Sequence, residues 1–349
     1  MNFGTFTGPG YGPLPQSGFK RQIGFYKSTT WIVPMTGYYM VHCIGAGGSG
    51  KMSPTGDLYS VSGGGAGGCA IKNRVLLSQG TRLTITIGAG GAAGGSAGGN
   101  TTISGGPLNL FGGGGGAGTG VQNTTLVAGG AGGSASGGDL NWTGGDGGSA
   151  QVGNGAGGQG AMGGGGGVSL WGANTRGGNA SASSTSASSS ARSLGGGGGS
   201  GGRGGDATST TINNDYYIAA GGHAIADGTD RTTAGSASSG FNESNTLVPF
   251  TGIFGYGNIL ADPTLAMGIG TDGGSGNQPY AGAGSGGRVD GTSGSPYAFG
   301  GSGACYAVTA GGSGTPGIGG GTGAVLRENS GPNSGAGGKG AVFITWTHL

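Results

Sequence analysis

The chain has 349 residues, of which 101 are glycine, while only 14 are Lys or Arg and 12 are Asp or Glu. Soluble domains average about 7% glycine and about 25% charged residues, so long stretches here have almost no side chain to bury and a large apolar core is excluded. The net charge of +2 gives no reason to expect nucleic acid binding. Three cysteines without CxxC spacing argue against a disulfide framework.

Residues 1–27 mix Phe, Tyr, Pro and Gly without a clear period, which predicts an irregular N-terminal arm. The segments that follow have the β-branched, aromatic and alternating pattern typical of half-buried strands. They are Trp31–Val33, Tyr38–Ile44, Ala70–Leu77, Thr81–Ile87 and, at the far end, Ala341–Thr347. Strand clusters at opposite ends of the chain are explained if they pair, so we expect a small antiparallel β-sandwich that holds both ends of a glycine-rich insertion.

The insertion contains the pure glycine runs Gly112–Gly116, Gly163–Gly167 and Gly195–Gly199. A collagen helix requires glycine at every third position and abundant proline, and both are missing. A flexible Gly/Ser linker describes residues 179–193 only. A bundle of polyglycine II helices fits best, because such helices have three residues per turn and no internal hydrogen bonds, and segments without Cβ atoms can approach closely enough to bond one another. A silk-like aggregate is the remaining alternative.

The expected fold class is therefore mainly β and irregular, with a β-sandwich base, an inserted polyglycine II bundle, projecting loops and almost no α-helix. We expect three parts: an N-terminal arm at 1–30 that could attach the chain to a fibre, a base formed by 31–111 with 338–349, and the bundle at 112–337. Residues 1–82 carry seven basic residues against Asp57, a net charge of +6. This asymmetry suggests two different contact surfaces, although solvation of the β region explains it equally well.

Several motifs that are typical of enzymes occur here without their required context. Residues 44–51 contain GxGxxG and nearly a phosphate-binding loop, but Ser53 and Pro54 follow where a helix must begin. Residues 198–202 match GxSxG inside a glycine tract, and residues 201–206 resemble one isolated calcium-binding repeat. The three histidines have no ligand spacing. We therefore expect no enzyme activity, no cofactor and no metal.

Longer non-glycine interruptions divide the glycine tracts, and we expect them to be connecting turns that project at the bundle ends. They combine aromatic with small polar residues, as binding loops do. The predicted receptor-binding residues are Trp142, Trp171, Tyr216, Tyr217, Phe254, Tyr256, Tyr280 and Tyr297. The alternative for each residue is that its ring only plugs the end of a glycine helix.

The sequence resembles the glycine-rich domain of bacteriophage tail-fibre proteins and tail-fibre tip adhesins. The resemblance lies in Trp31-Ile-Val-Pro followed by Gly37 and a GAGG tract, in Leu83-Thr-Ile-Thr-Ile-Gly-Ala-Gly-Gly91, and in the closing Gly338–Trp346. It implies a chain made in the host cytoplasm and located at the tail-fibre tip of the virion. It also implies two kinds of partner, other tail-fibre proteins and a bacterial surface receptor (an outer-membrane protein, a pilus or a glycan). The Trp-rich attachment domain of related adhesins is missing, which leaves open a trimer or a monomer on a trimeric fibre.

Two other classes of protein compete with an adhesin. A purely structural virion or extracellular coat protein should have monotonous loops, whereas the interruptions here differ in sequence and length. An ice-binding bundle would need a flat, repeated face, which irregular loops do not offer.

Overall fold

The computed structural model describes most of the first 210 residues and the C-terminal end. Described are residues 21–53, 59–122, 126–153, 160–169, 175–182, 192–199, 202–209, 216–219, 318–327 and 335–346, with 222, 227, 230, 232, 235–236, 288–289, 301 and 305–307. In these residues all regular structure is β, as the composition predicts. Within the same ranges there is no helix of the length and apolarity needed to cross a membrane.

The described strands are mostly short, and they are named here in chain order. They are β1 (Arg21–Phe25), β2 (Thr29–Ile32), β3 (Gly37–Ile44), β4 (Tyr59–Val61), β5 (Cys69–Leu77), β6 (Arg82–Thr86), β7 (Thr101–Gly105), β8 (Leu108–Gly112), β9 (Gly120–Val121), β10 (Ala135–Ser136), β11 (Leu140–Trp142), β12 (Ala150–Val152), β13 (Gly160–Met162), β14 (Ala180–Ala182), β15 (Arg192–Leu194), β16 (Ala207–Ser209), β17 (Tyr216–Ile218), β18 (Gly235–Ser236), β19 (Arg288–Val289), β20 (Cys305–Ala307), β21 (Val325–Arg327) and β22 (Ala341–Trp346).

Two five-stranded antiparallel sheets form the predicted sandwich. Sheet A has the order β1-β22-β3-β5-β11 and sheet B the order β10-β8-β7-β6-β2. The C-terminal β22 lies between β1 and β3, with Ile344 opposite Val41. The prediction that the strands at the two ends of the chain share one sandwich is therefore confirmed.

The core of the sandwich is filled by the inward side chains of both sheets. In β6, Leu83 and Ile85 are buried while the residues on either side of each are exposed, which is the expected alternation of a strand with one wet face. The rings of Trp31, Tyr39 and Trp346 pack together between the sheets, with centroids 5.6–6.2 Å apart. The base therefore has an ordinary apolar core.

Glycine segments leave the sandwich and bond to one another through the backbone. In residues 45–51 the N–H groups of positions 45, 48 and 51 donate to the carbonyls of 68, 65 and 62, and those of 46 and 49 donate to 99 and 96. The N–H of Gly47 points to a third neighbour, the carbonyl of Gly338. A β-strand has partners on two sides only, whereas a period of three is what a three-residue helix requires. Polyglycine II geometry stays a prediction, and this hydrogen-bond period favours it.

The same segments show why glycine is needed. A Cβ atom at Gly45, Gly47 or Gly48 would lie 1.9–2.0 Å from a backbone oxygen of the neighbouring segment. A real carbon atom cannot occupy that space, so any other residue would push the two backbones apart. Glycine here permits close approach between segments.

Short parallel sheets lie at the far end of the glycine segments. Sheet C has the order β12-β14-β16, sheet D has the order β18-β17-β15-β13-β4-β9, and sheet E has the order β19-β20-β21. All pairs in these sheets are parallel except β4 with β9. The bundle therefore ends in a β layer that the sequence analysis did not predict.

The described strands cross the predicted boundaries at several points. The arm predicted for 1–30 contains β1 and β2, which pair with β22 and β6 because Ile23, Phe25 and Trp31 pack against the core. The predicted linker 179–193 contains all of β14 and the first two residues of β15. The base predicted for 31–111 includes β4, which belongs to sheet D, and the predicted bundle includes β10 and β11, which extend sheets B and A.

Candidate functional site

Three consecutive chain passages turn at the same edge of the bundle. The strands β12, β14 and β16 run in parallel register and end together at Val152, Ala182 and Ser209. Sheet D takes the chain back, since β13, β15 and β17 begin in one row at Gly160, Arg192 and Tyr216. The two sheets contact each other. We call this the loop edge, because the strands of sheet C end there and the strands of sheet D that follow them in the chain begin there; the sequences between these ends are 153–159, 183–191 and 210–215.

A ladder of hydrogen bonds holds the passages in register. The N–H of Ser149 donates to Oδ1 of Asn179 at 2.9 Å, and the N–H of Asn179 donates to Oδ1 of Asp206 at 2.7 Å. The N–H of Asp206 donates in turn to Oδ1 of Asp230 at 2.7 Å. Ser149, Asn179 and Asp206 each stand directly before a strand of sheet C, and Asp230 has the equivalent position in the next passage of the chain. The spacing between passages is therefore set by side chains as well as by the glycine backbones.

Two arginines strengthen this ladder. Arg176 binds Asp206 through two parallel bonds of 3.0 and 2.9 Å, and Arg203 binds Asp230 in the same way with two bonds of 3.0 Å. Such bidentate pairs fix orientation as well as charge. Partial burial by itself would raise the pKa of Asp230, but the bonds from Arg203 and from the Asp206 N–H outweigh it and hold that pKa below its usual value. The cluster is thus a structural clamp.

The ladder belongs to an internal repeat that the sequence analysis missed. Arg-Gly-Gly-Asn-Ala at 176–180 returns as Arg-Gly-Gly-Asp-Ala at 203–207, and Asp-Gly-Gly-Ser-Ala at 146–150 has the same frame. Each copy leads into a strand of sheet C. The repeat is visible in the sequence. Because Gly-Gly pairs are common throughout the chain, only the charged residue before each pair distinguishes the repeat.

The structure separates the predicted receptor-binding residues. Trp142 lies in β11 at the opposite end of the bundle, beside Cys69 of sheet A, and packs on the apolar cluster around Ile71. Tyr216 and Tyr217 lie in β17 rather than in a projecting turn, and the side chain of Tyr217 is only 1% exposed. Tyr217 packs with Ala207 and Ala219, so it supports the loop edge from inside. Trp171, Phe254, Tyr256, Tyr280 and Tyr297 lie outside the described residues.

Two exposed apolar residues at the loop edge were not predicted. Val121 of β9 pairs with Ser60 of β4, one row from the loop edge, and Leu126 precedes the bridge between Val127 and Ala150. Leu126 is 58% exposed and Val121 37%. Both stand beside a short polar sequence in an otherwise glycine-rich region, and the sequence offers no periodic signal that would have identified them. They are candidate contact residues.

In the segment that resembles a phosphate-binding loop, the backbone N–H groups already donate within the protein and are not available to a phosphate. All seven N–H groups of residues 45–51 donate to protein acceptors, that of Gly50 to Oγ1 of Thr322 at 2.7 Å. The carboxylate of Asp206, in the segment that resembles a calcium repeat, is bound by Arg176 and lies 3.1 Å from Arg203. His42 is buried in sheet A, while His223 and His348 lie outside the described residues. In the described part of the chain, no three acidic, Cys or His side chains are grouped to hold a metal.

Comparison with known proteins assigns the chain to a family. No curated protein matches it. A family model described as a glycine-rich domain matches residues 25–211, which is more than half of the chain. The matched region contains most of the sandwich, the rungs at Ser149, Asn179 and Asp206, and all of sheet C. The chain therefore belongs to the family of glycine-rich domain proteins.

Proposed function

We propose that this protein is a bacteriophage tail-fibre tip adhesin that binds a host-cell surface receptor through segments displayed at the loop edge. The observation that carries the proposal is the repeated return of the chain to one edge of a hydrogen-bonded frame, with three sequences of different length and composition between the strand ends. The frame resists deformation because its segments share backbone hydrogen bonds and the ladder through Asp206. A rigid frame lowers the entropic cost of binding.

The sequences at the loop edge suit adaptable recognition. All three are poor in charge, and two of them are rich in Ser, Thr and Asn, namely 183–191 (SSTSASSSA) and 210–215 (TTINND). Small polar residues adapt their hydrogen bonds to a partner, while rigid apolar or aromatic residues supply contact area. Val121 and Leu126 are added to the proposed contact residues, and Trp142 and Tyr217 are removed from them. Several fibres on one particle would multiply a modest affinity.

The test compares adsorption of particles that carry variant chains. The first variant combines Val121→Ser with Leu126→Ser, and the second replaces Trp171, Phe254, Tyr256, Tyr280 and Tyr297 by Ala. Truncation of a central contact residue often costs about 2 kcal/mol or more, which is roughly a thirtyfold loss of affinity. We expect at least one variant to lose adsorption by that factor with an unchanged melting temperature.

Ile32→Ser is the matched control, because Ile32 is 53% exposed on sheet B, far from the loop edge. It should adsorb normally. If both variants fold and adsorb like the parent, the receptor-binding function is wrong and the structural coat protein becomes the better interpretation. Loss of adsorption in the second variant alone would place the contact surface away from the loop edge.

A further inference from the structure

The outer face of sheet A is only half covered. Near the bundle, its residues Ile44, Ile71 and Phe343 are buried beneath Ala66 and Val168 of the glycine segments. At the other end of the same face, Tyr38 of β3 lies directly opposite Leu76 of β5, and their side chains are 43% and 53% exposed. We call this pair the apolar strip.

The strip is better organised than scattered surface residues. The guanidinium carbon of Arg74 lies 4.0 Å from the centroid of the Tyr38 ring, a cation–π distance that fixes the ring over the sheet. The neighbouring residues Tyr39 and Val75 point into the sandwich core, so Tyr38 and Leu76 must point outward. Two large apolar side chains held side by side form a surface that another apolar group could cover.

The N-terminal segment enters sheet A beside this strip. Arg21, the first described residue, pairs with Trp346, which pairs with Tyr39, which pairs with Val75. The Tyr38–Leu76 pair is the next row of the sheet. Arg21 is therefore two strands away from Tyr38 and three strands away from Leu76. Strands lie about 4.8 Å apart, so the gap is roughly 10–15 Å. About five extended residues, at up to ~3.5 Å each, span that distance.

The sequence of residues 1–20 has the composition of a covering segment. It contains no acidic residue, one basic residue (Lys20) and six large apolar side chains, Met1, Phe3, Phe6, Tyr11, Leu14 and Phe19. A second copy of the chain is a poorer occupant, because it would bring Arg74 and the basic N-terminal region against their own equivalents. Like charges at a contact oppose association.

We propose that residues 1–20 fold back across the outer face of sheet A and cover Tyr38 and Leu76, which makes this segment part of the base. This docking is independent of the adhesin function. The aromatic residues of the N-terminal sequence would then pack against the same chain. The outer face of sheet A would be covered at one end by the glycine segments and at the other end by residues 1–20.

Thiol labelling of the full chain tests the proposal. Leu76→Cys is prepared together with Cys305→Ser, and Ile32→Cys in the same background is the control, since both positions are 53% exposed in the described residues. The native Cys43 and Cys69 contribute little signal, because both are buried and burial raises the pKa of each thiol, that of Cys43 to about 12. Each protein is also made with Phe3, Phe6, Leu14 and Phe19 replaced by Ser.

We expect Leu76→Cys to react at least tenfold more slowly than Ile32→Cys and to reach the control rate in the serine variant. Ile32→Cys should react equally fast in both chains, and the buried Cys43 and Cys69 should stay unlabelled in the serine variant, which shows that it stays folded. Equal rates at the two positions in the parent chain would overturn the proposal. So would slow labelling at position 76 that persists in the serine variant, or that appears only at high protein concentration, which would indicate a second copy.

Discussion

A single methyl group placed inside the glycine bundle should destabilise it measurably. Gly164 lies within Gly163–Gly167, where a Cβ at any of the five positions would stand 1.9–2.4 Å from a backbone oxygen. At Gly164 the atom met is the carbonyl oxygen of Gly196, at 2.0 Å, whereas ordinary contact begins near 3.4 Å. In Gly164→Ala the two segments must therefore separate by more than an ångström.

The expected loss of stability depends on the hydrogen bonds that are disturbed when the two segments separate. The N–H of Gly164 donates to Gly178 at 3.0 Å and its carbonyl accepts from Gly148 at 2.7 Å. Each such bond is worth about 0.5–1.5 kcal/mol net, and overpacking costs about 1–3 kcal/mol. The reduced entropy of the unfolded alanine chain returns about 0.4–1 kcal/mol. We expect a net loss of about 2–4 kcal/mol in the free energy of unfolding, which for a chain of this length is a fall in Tm of roughly 3–6 °C.

Thermal and urea unfolding, followed by tryptophan fluorescence, measure this loss. Gly37→Ala is the matched control, because Gly37 is also buried, but a Cβ there would meet only a ring carbon of Tyr39 at 4.0 Å. Its Tm should change by less than about 1 °C. If Gly164→Ala melts with the parent, or if both variants lose equal stability, close backbone packing is not what requires glycine in this bundle.

Two further predictions concern charged and titratable groups. Asp206→Ala removes both bonds to Arg176 and the acceptor of the Asn179 N–H, so it should cost about 1–3 kcal/mol of stability in urea unfolding. Asp227→Ala removes a single backbone acceptor, that of the Arg203 N–H at 2.9 Å, and a 3.4 Å ion pair with Arg203 at a side chain that is 57% exposed. It should cost less than about 1 kcal/mol, and equal losses in the two variants would contradict the ladder. Burial lowers the pKa of His42 from the usual 6.5 to about 3. Below pH 6.5 this imidazole is therefore protonated in the unfolded chain but stays neutral in the folded chain. Stability should therefore fall by about 1.4 kcal/mol per pH unit from pH 6.5 toward pH 4, a slope that His42→Leu should remove and that would contradict the burial of His42 if absent from the parent.

The strands of the base could be predicted from the sequence because they carry ordinary side chains. The alternation in Thr81–Ile87 and the β-branched and aromatic residues of Tyr38–Ile44 determine which face is buried, whatever the rest of the chain does. The pairing of the terminal strands also followed, since two apolar strand clusters need a common core. The period-three bonding of residues 45–51 agrees with the expectation that glycine segments would bond one another.

Only the tertiary structure decided which residues face outward. Trp142 and Tyr217 have the composition of loop residues, but pairing with Cys69 and packing against Ala207 place them on the base sheet and inside the bundle. Leu126 has no sequence signal at all, yet it is exposed at the loop edge. Glycine carries no side-chain pattern, so the sequence specifies that segments approach closely but not which segments are neighbours. That choice depends on the β-strands at their ends and on the rungs at Asn179 and Asp206, whose partners lie 27 or 30 residues away along the chain.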